Sequence, residues 1–384
     1  MKFRTARFSL MTVAAAVALS TSPAWAQLKM GFNVPLTGFA AADGKSALDG
    51  AKLAVEQANA KGGVAGQKIE LVVYDDQAVA KEAVPSATKM VDRDKVVVAV
   101  SGSYSGSTRA AASIFQNAKI PYVVAYAIHP DITLAGDYMF RVSSMGEVQG
   151  RGGAKLVQNL GKKRTVLITV KNDFGQALAA GFRDAAPKLG INIVNEYEYA
   201  MPDRQFGALV SKVKSDNPEV IYASGYFFNA GPLVSQLRAA GITVPIIGQE
   251  GYDSDKFIEI AGPASEGTLI TTSLDRDSTE PATRAFLADY RKATNAGADM
   301  VAASSYTAVS VAIEGLRKTG GKGGAALRDA IAAGSYDTPI GKLVFNDLNE
   351  VKKDIQVQIV KDKAFRRHSV ISDPVLLAPP TKAK

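Results

Sequence analysis

The chain has 384 residues, 47% of them apolar and 21% charged, with a formal net charge of +8 and no cysteine. That length allows two domains with substantial cores, and the composition is that of a soluble globular protein. The lack of cysteine excludes disulfides, thiolate metal sites and cysteine nucleophiles, and two histidines, His129 and His368, leave little for a histidine metal site or a conventional hydrolase.

Residues 1–26 read as a cleavable export signal. Lys2, Arg4 and Arg7 precede a mainly apolar run, 8–19, and Ala24-Trp25-Ala26 supplies the small-x-small cleavage pattern. The run is shorter than the roughly 20 residues that span a bilayer. Cleavage after Ala26 lowers the net charge by three and predicts a protein free in the periplasm. The remaining Lys and Arg are dispersed, with no run that suits nucleic acid or phospholipid.

From there short β-branched runs alternate with longer helical patterns, which signals βα units and parallel sheets. Strands are predicted at 29–34, 69–74, 96–100 and 122–125. Helices are predicted at 47–60, 80–91 and 108–118. In 47–60, Leu48, Ala51, Val55 and Ala58 share one face, and Lys61-Gly62-Gly63 ends it. The pattern then restarts, with strands at 165–170, 191–197, 220–223 and 245–248 between helices at 146–160, 177–189, 206–215 and 232–240. After a strand at 268–272 come helices at 282–294, 302–318 and 325–333, then strands near 342–345 and 355–360. Together these predict an α/β chain of two doubly wound parallel-sheet lobes, with extended crossovers near 140–142, 271–273 and 352–355. A cleft between two such lobes is a natural ligand site, because loops at strand carboxyl ends converge there.

Several segments resemble the leucine/isoleucine/valine-binding proteins of ABC importers. They are 29–38, ending Pro35-Leu36-Thr37-Gly38; Gly50-Ala51 with Asn59-Ala60-Lys61-Gly62-Gly63-Val64; Tyr74-Asp75-Asp76; Asn172-Asp173-Phe174-Gly175; Gly248-Gln249-Glu250-Gly251; and Ala264-Ser265-Glu266-Gly267-Thr268. The blocks keep the family's order and spacing over nearly the whole chain after residue 26. The resemblance implies a type I periplasmic binding protein fold with a three-strand hinge. One lobe is expected to comprise 27–141 and 273–353, the other 142–272 and 354–384, closing around a solute. It also implies a permease partner in the membrane; no cofactor or metal is expected, and a monomer is the default for a shuttling protein.

The predicted strand 96–100 runs into Ser101-Gly102-Ser103-Tyr104-Ser105-Gly106-Ser107-Thr108 and a helix, and amides and hydroxyls at a helix start suit an anion. By resemblance Ser105 holds a ligand carboxylate, with Ser103 and Ser107 as caps. The next strand ends in Tyr126-Ala127-Ile128-His129. Tyr126 is expected to offer its carbonyl, with Ala127 alongside it. Ile128 replaces the family's usual Thr or Ser, keeping only its amide for the ligand, and His129 is read as a turn residue. From the second lobe, Phe174 and Tyr226 or Phe227 pack on the ligand, and Glu250 neutralises its ammonium. Asp43 stands where some relatives carry a large aromatic. That departure and Ile128 leave two ligand classes open: an α-amino acid with an apolar side chain, favoured by Glu250, or an aromatic carboxylate or 2-oxo acid.

Rival functions are weaker. Gly38-Phe39-Ala40-Ala41-Ala42-Asp43-Gly44-Lys45-Ser46 is like a P-loop, but has five residues between its glycines where the motif needs four, and is better read as the first-lobe rim of the cleft. No Gly-x-Ser-x-Gly elbow is present, since Tyr104 is central in Gly102–Gly106. Asp75 and Asp76, adjacent at a strand end, point apart and make a poor acid/base couple. A soluble sensor that hands its state to a receptor keeps the fold and changes the output.

Overall fold

A computed structural model describes residues 27–382. The expected export signal lies outside the described residues. The first half builds β1 (Leu28–Val34), α1 (Ala41–Ala60), β2 (Ile69–Asp75), α2 (Ala80–Asp92), β3 (Val98–Ser101), α3 (Ser105–Asn117), β4 (Tyr122–Val124), α4 (Asp131–Leu134) and β5 (Met139–Arg141). Their sheet is parallel, in the order β2-β1-β3-β4-β5. The inner strands β3 and β4 are buried on both faces, which is why Val, Ala and Tyr fill them without polar alternation.

The chain then crosses over and repeats the plan with α5 (Gly146–Asn159), β6 (Arg164–Val170), α6 (Asp173–Ala185), β7 (Asn192–Tyr199), α7 (Gly207–Asp216), β8 (Val220–Ala223), α8 (Phe227–Ala239), β9 (Ile246–Gly248), α9 (Asp255–Ala261) and β10 (Leu269–Thr272). It returns to the first sheet through α10 (Pro281–Thr294), α11 (Met300–Lys318) and α12 (Gly324–Ala332), makes the hairpin β11 (Ser335–Thr338) and β12 (Gly341–Val344), and crosses a third time to β13 (Ile355–Lys361) and β14 (Ala364–Ile371). The second sheet runs β14-β13-β10-β9-β8-β6-β7. Its five βα strands are parallel, whereas β13 and β14 add antiparallel, so this sheet is mixed rather than wholly parallel.

Several boundaries differ from the sequence reading. α1 starts at Ala41, not residue 47, and its first turn packs so tightly that a Cβ on Gly44 would lie 1.7 Å from the Pro35 carbonyl oxygen. α8 starts at Phe227 and carries Pro232 inside, since Asn229 Oδ1 accepts from the Tyr226 amide and begins the helix a turn early. α9, β11 and β14 were not foreseen. Helix α1 lies directly on α11: a Cβ on Gly50 would meet the Ala302 carbonyl oxygen at 2.3 Å.

The crossovers carry buried charge. Arg141, at the end of β5, donates through Nε to Glu350 Oε1 and Oε2 (3.0 and 3.1 Å), and through Nη2 to the His129 carbonyl (2.8 Å). Both side chains are fully buried, so the pair holds only because its partners satisfy it.

Candidate functional site

Parallel βα units put helix starts and strand ends on one edge of each sheet, and here the two edges face each other. A narrow, partly open cavity of about 20 Å3 lies between them. The first sheet's side supplies Asp43, Tyr104, Ser105, Tyr126, Met300 and Val301, and the second sheet's side supplies Phe174, Tyr226, Glu250 and Gly251. The volume is little more than one water needs, because aromatic rings fill the rest. Tyr104 stacks on Tyr226 at 4.4 Å between centroids, with 14° between the planes, and Tyr226 stacks in turn on Phe174 at 4.9 Å. Further out, Phe39 meets Phe228 edge to face at 5.4 Å, and Arg109 on α3 donates to Asp173 on α6 at 2.9 Å. The two sides therefore touch, and anything larger than water enters by parting them.

Donors collect around α3. Its N-terminal amides have no earlier turn to bond, and Ser105 is the first helical residue. Ser105 Oγ accepts from the Ile128 amide at 3.1 Å, so among the described residues its own proton remains available. A buried acceptor stands opposite. Glu250 follows β9 in a buried 3-10 turn, and neither carboxylate oxygen has a hydrogen-bond partner among the described residues. The Gln149 side-chain amide stands nearby, one of its N–H groups donating to the Ser144 carbonyl at 2.8 Å. Burial pushes Glu250 up to about 7, against the opposing pull of Gln149 and of the Lys353 ammonium on the third crossover. Lys353 Nζ is itself buried without a hydrogen bond, and burial pulls it down to about 8.

Of the side chains singled out from sequence, Ser105, Tyr126, Phe174, Tyr226 and Glu250 line one cavity. Ala127, Ile128 and Phe227 do not. The Ile128 amide, expected to reach the ligand, is spent on Ser105, and its side chain packs towards Gly146. Phe227 packs edge to face on Phe228 behind the cavity. Ser103 is not a cap: its hydroxyl donates to buried Asp76 at 2.8 Å, which Asn33 also holds at 2.7 Å. Asp75 turns the other way, to Thr37 and the Leu36 amide. Sequence reasoning missed Tyr104, Gly251, Met300 and Val301, and put Asp43 on the rim of the cleft rather than among its contacts. A signal existed for Asp43, an acid in the first βα turn. Met300 and Val301 arrive only through the return of the chain to the first sheet.

This two-sheet clam with a site between facing strand ends is the architecture of a binding protein, and the chain belongs to the periplasmic binding protein family, whose model matches residues 27–364. Its relatives include substrate-binding proteins of branched-chain amino acid ABC transporters. A Pseudomonas aeruginosa protein named as leucine-, isoleucine-, valine-, threonine- and alanine-binding is 30% identical over 356 residues, 92% of this chain and 95% of that one. A Streptococcus pneumoniae branched-chain amino acid transporter substrate-binding protein, solved with isoleucine, is 26% identical with a TM-score of 0.83, covering 90% of this chain and 99% of that one. An R. palustris solute-binding protein solved with benzoate shares the fold at 24% identity and a TM-score of 0.80, covering 90% of this chain and 96% of that one. The family is one of substrate-binding proteins.

Proposed function

We propose that the protein captures an α-amino acid with a largely apolar side chain between its lobes and delivers it, unchanged, to the membrane permease of an ABC importer. It works as a monomer in the periplasm once residues 1–26 are removed. The moving bodies are 27–141 with 273–353 against 142–272 with 354–384. Ser105 and the free amides of α3 take the ligand carboxylate; the Tyr126 carbonyl and Glu250 take the ammonium. Phe174 and Tyr226 cover the side chain, with Met300 and Val301 beneath it. Ala127, Ile128 and Phe227 support this wall from behind.

The observation that carries the reading is Glu250. A buried carboxylate with both oxygens unbonded is costly, and a ligand ammonium compensates it in a way that a simple carboxylate cannot. The names of the relatives that bind leucine, isoleucine and valine agree with this. The test is thermal-shift and calorimetric titration of the mature protein with leucine, valine, their 2-oxo acids and benzoate. A ligand at a hundred times its Kd adds about 2.7 kcal/mol of stability. An amino acid should raise the melting midpoint; a rise with benzoate or a 2-oxo acid, and with no amino acid, refutes the proposal.

A further inference from the structure

The cavity wall contains a second buried carboxylate, Asp43, contributed by the first turn of α1 on the side opposite Glu250. It is 5% exposed, and its one hydrogen bond is from the Tyr104 hydroxyl to Oδ2 at 2.6 Å. Its other oxygen makes none among the described residues. Nearby Asp299 shows what a structural acid looks like here: its Oδ1 accepts from the Ala302 amide at 2.8 Å, capping α11, and from Ser46. Asp43 sits at a helix start without capping it, and faces the cavity instead. Burial pushes its carboxyl up to about 7, although the Tyr104 hydroxyl pulls the other way.

The wall is electrically lopsided. Among the described residues that line it there is no Lys, Arg or His, but there are two carboxylates and four aromatic faces, Tyr104, Tyr126, Phe174 and Tyr226. Aromatic faces attract cations and N–H groups. The three-dimensional complement of such a wall is one anionic group, at Ser105, and two proton-donating groups. An α-amino acid uses its carboxylate at Ser105 and its ammonium at Glu250, which leaves its side chain to meet Asp43.

We infer that Asp43, held by Tyr104, is a selectivity subsite that reads a single hydrogen-bond donor carried on an otherwise apolar side chain, so that the protein prefers an amino acid with one such hydroxyl or amine to its purely aliphatic isostere. This rests on the amino-acid reading of the cleft. A site built around a buried acceptor rejects the analogue that leaves the acceptor bare, whereas an apolar pocket discriminates little between the two.

The test is isothermal calorimetry on the full mature protein with matched pairs: threonine against valine, and 2,4-diaminobutyrate against norvaline. Wild type should bind the first member of each pair at least tenfold more tightly. Asp43→Leu should reverse the order within the pairs. Asp43→Asn, which keeps the shape and the Tyr104 contact, guards against misfolding and should narrow the preference for the diamino acid while keeping that for threonine. Equal binding within both pairs in wild type overturns the Asp43 assignment and leaves the amino-acid reading standing. Failure of every amino acid, with a carboxylate binding in their place, overturns both.

Discussion

Lowering the pH should dismantle the ligand site before it dismantles the fold. Burial pushes Glu250 up to about 7, so at pH 8 it is a carboxylate and at pH 5 it is mostly a neutral acid. An α-amino acid stays zwitterionic over that range, and its ammonium gains a charge-assisted bond only to the ionised form. Each pH unit below 7 therefore costs about 1.4 kcal/mol, roughly tenfold in Kd, and about a hundredfold accumulates by pH 5. The ligand-free protein runs the other way. Glu250 is raised from 4.5 to about 7, so the folded state keeps a proton that the unfolded chain has released. The associated stability is full below pH 4.5 and is lost as pH rises through 7, on the order of 3 kcal/mol for this one fully buried group. In Glu250→Gln both trends should flatten. Calorimetry with leucine at half-unit steps from pH 5 to 8 in paired buffers of different ionisation enthalpy should show about one proton released per leucine below pH 7 in wild type and none in the variant. A Kd independent of pH in wild type, or the same slope in Glu250→Gln, refutes the role given to Glu250.

Other outcomes follow from single contacts. Ser105→Ala removes the hydroxyl that accepts from the buried Ile128 amide, so it should weaken amino-acid binding by about 1–3 kcal/mol, read as Kd by calorimetry, and also lower the melting midpoint of the ligand-free protein. Arg109→Ala breaks the half-exposed pair to Asp173 between the two sides, so closure should loosen by less than about 1 kcal/mol, an effect that 0.5 M salt should mask. Gly50→Ala drives a methyl into the Ala302 carbonyl and should cost about 1–3 kcal/mol in chemical denaturation. Arg141→Met leaves Glu350 buried and unpaired where β5 ends, and should cost about 3–5 kcal/mol, far more than any surface pair.

The alternation of strands and helices was legible because inner parallel strands leave no polar face to confuse the pattern. Val98–Ser101 and Val220–Ala223 are buried at every residue. β14 was not legible for the opposite reason: Ala364–Ile371 carries Arg366, Arg367 and His368 on a solvent-facing edge, so its strand state comes from pairing with β13. The start of α1 was hidden by Asp43 and Gly44, which look like turn residues in sequence. Gly44 is required there by the touching Pro35 carbonyl, and Asp43 by the cavity. For the site, sequence supplied the residues that follow strands in recognisable blocks. It could not supply Tyr104 as a lining ring, because its contacts with Asp43 and Tyr226 join residues brought together only by folding and closure.

Tyr104 connects selectivity to movement. Its hydroxyl holds Asp43 on one side of the cleft, and its ring lies on Tyr226 of the other. On the proposed reading each side carries part of a recognition set: Ser105, Asp43 and the Tyr126 carbonyl on the first, Glu250 with the Phe174 and Tyr226 rings on the second. Neither half satisfies an amino acid. A ligand therefore lowers the free energy of the closed arrangement more than that of the open one only when it meets both, which is the condition for shifting a pre-existing balance rather than merely adhering to one lobe. A ligand that meets Ser105 but leaves Glu250 bare binds the open form and gains little from closure. On the proposed reading, contact of the ammonium with Glu250 and closure of the cleft are the same event.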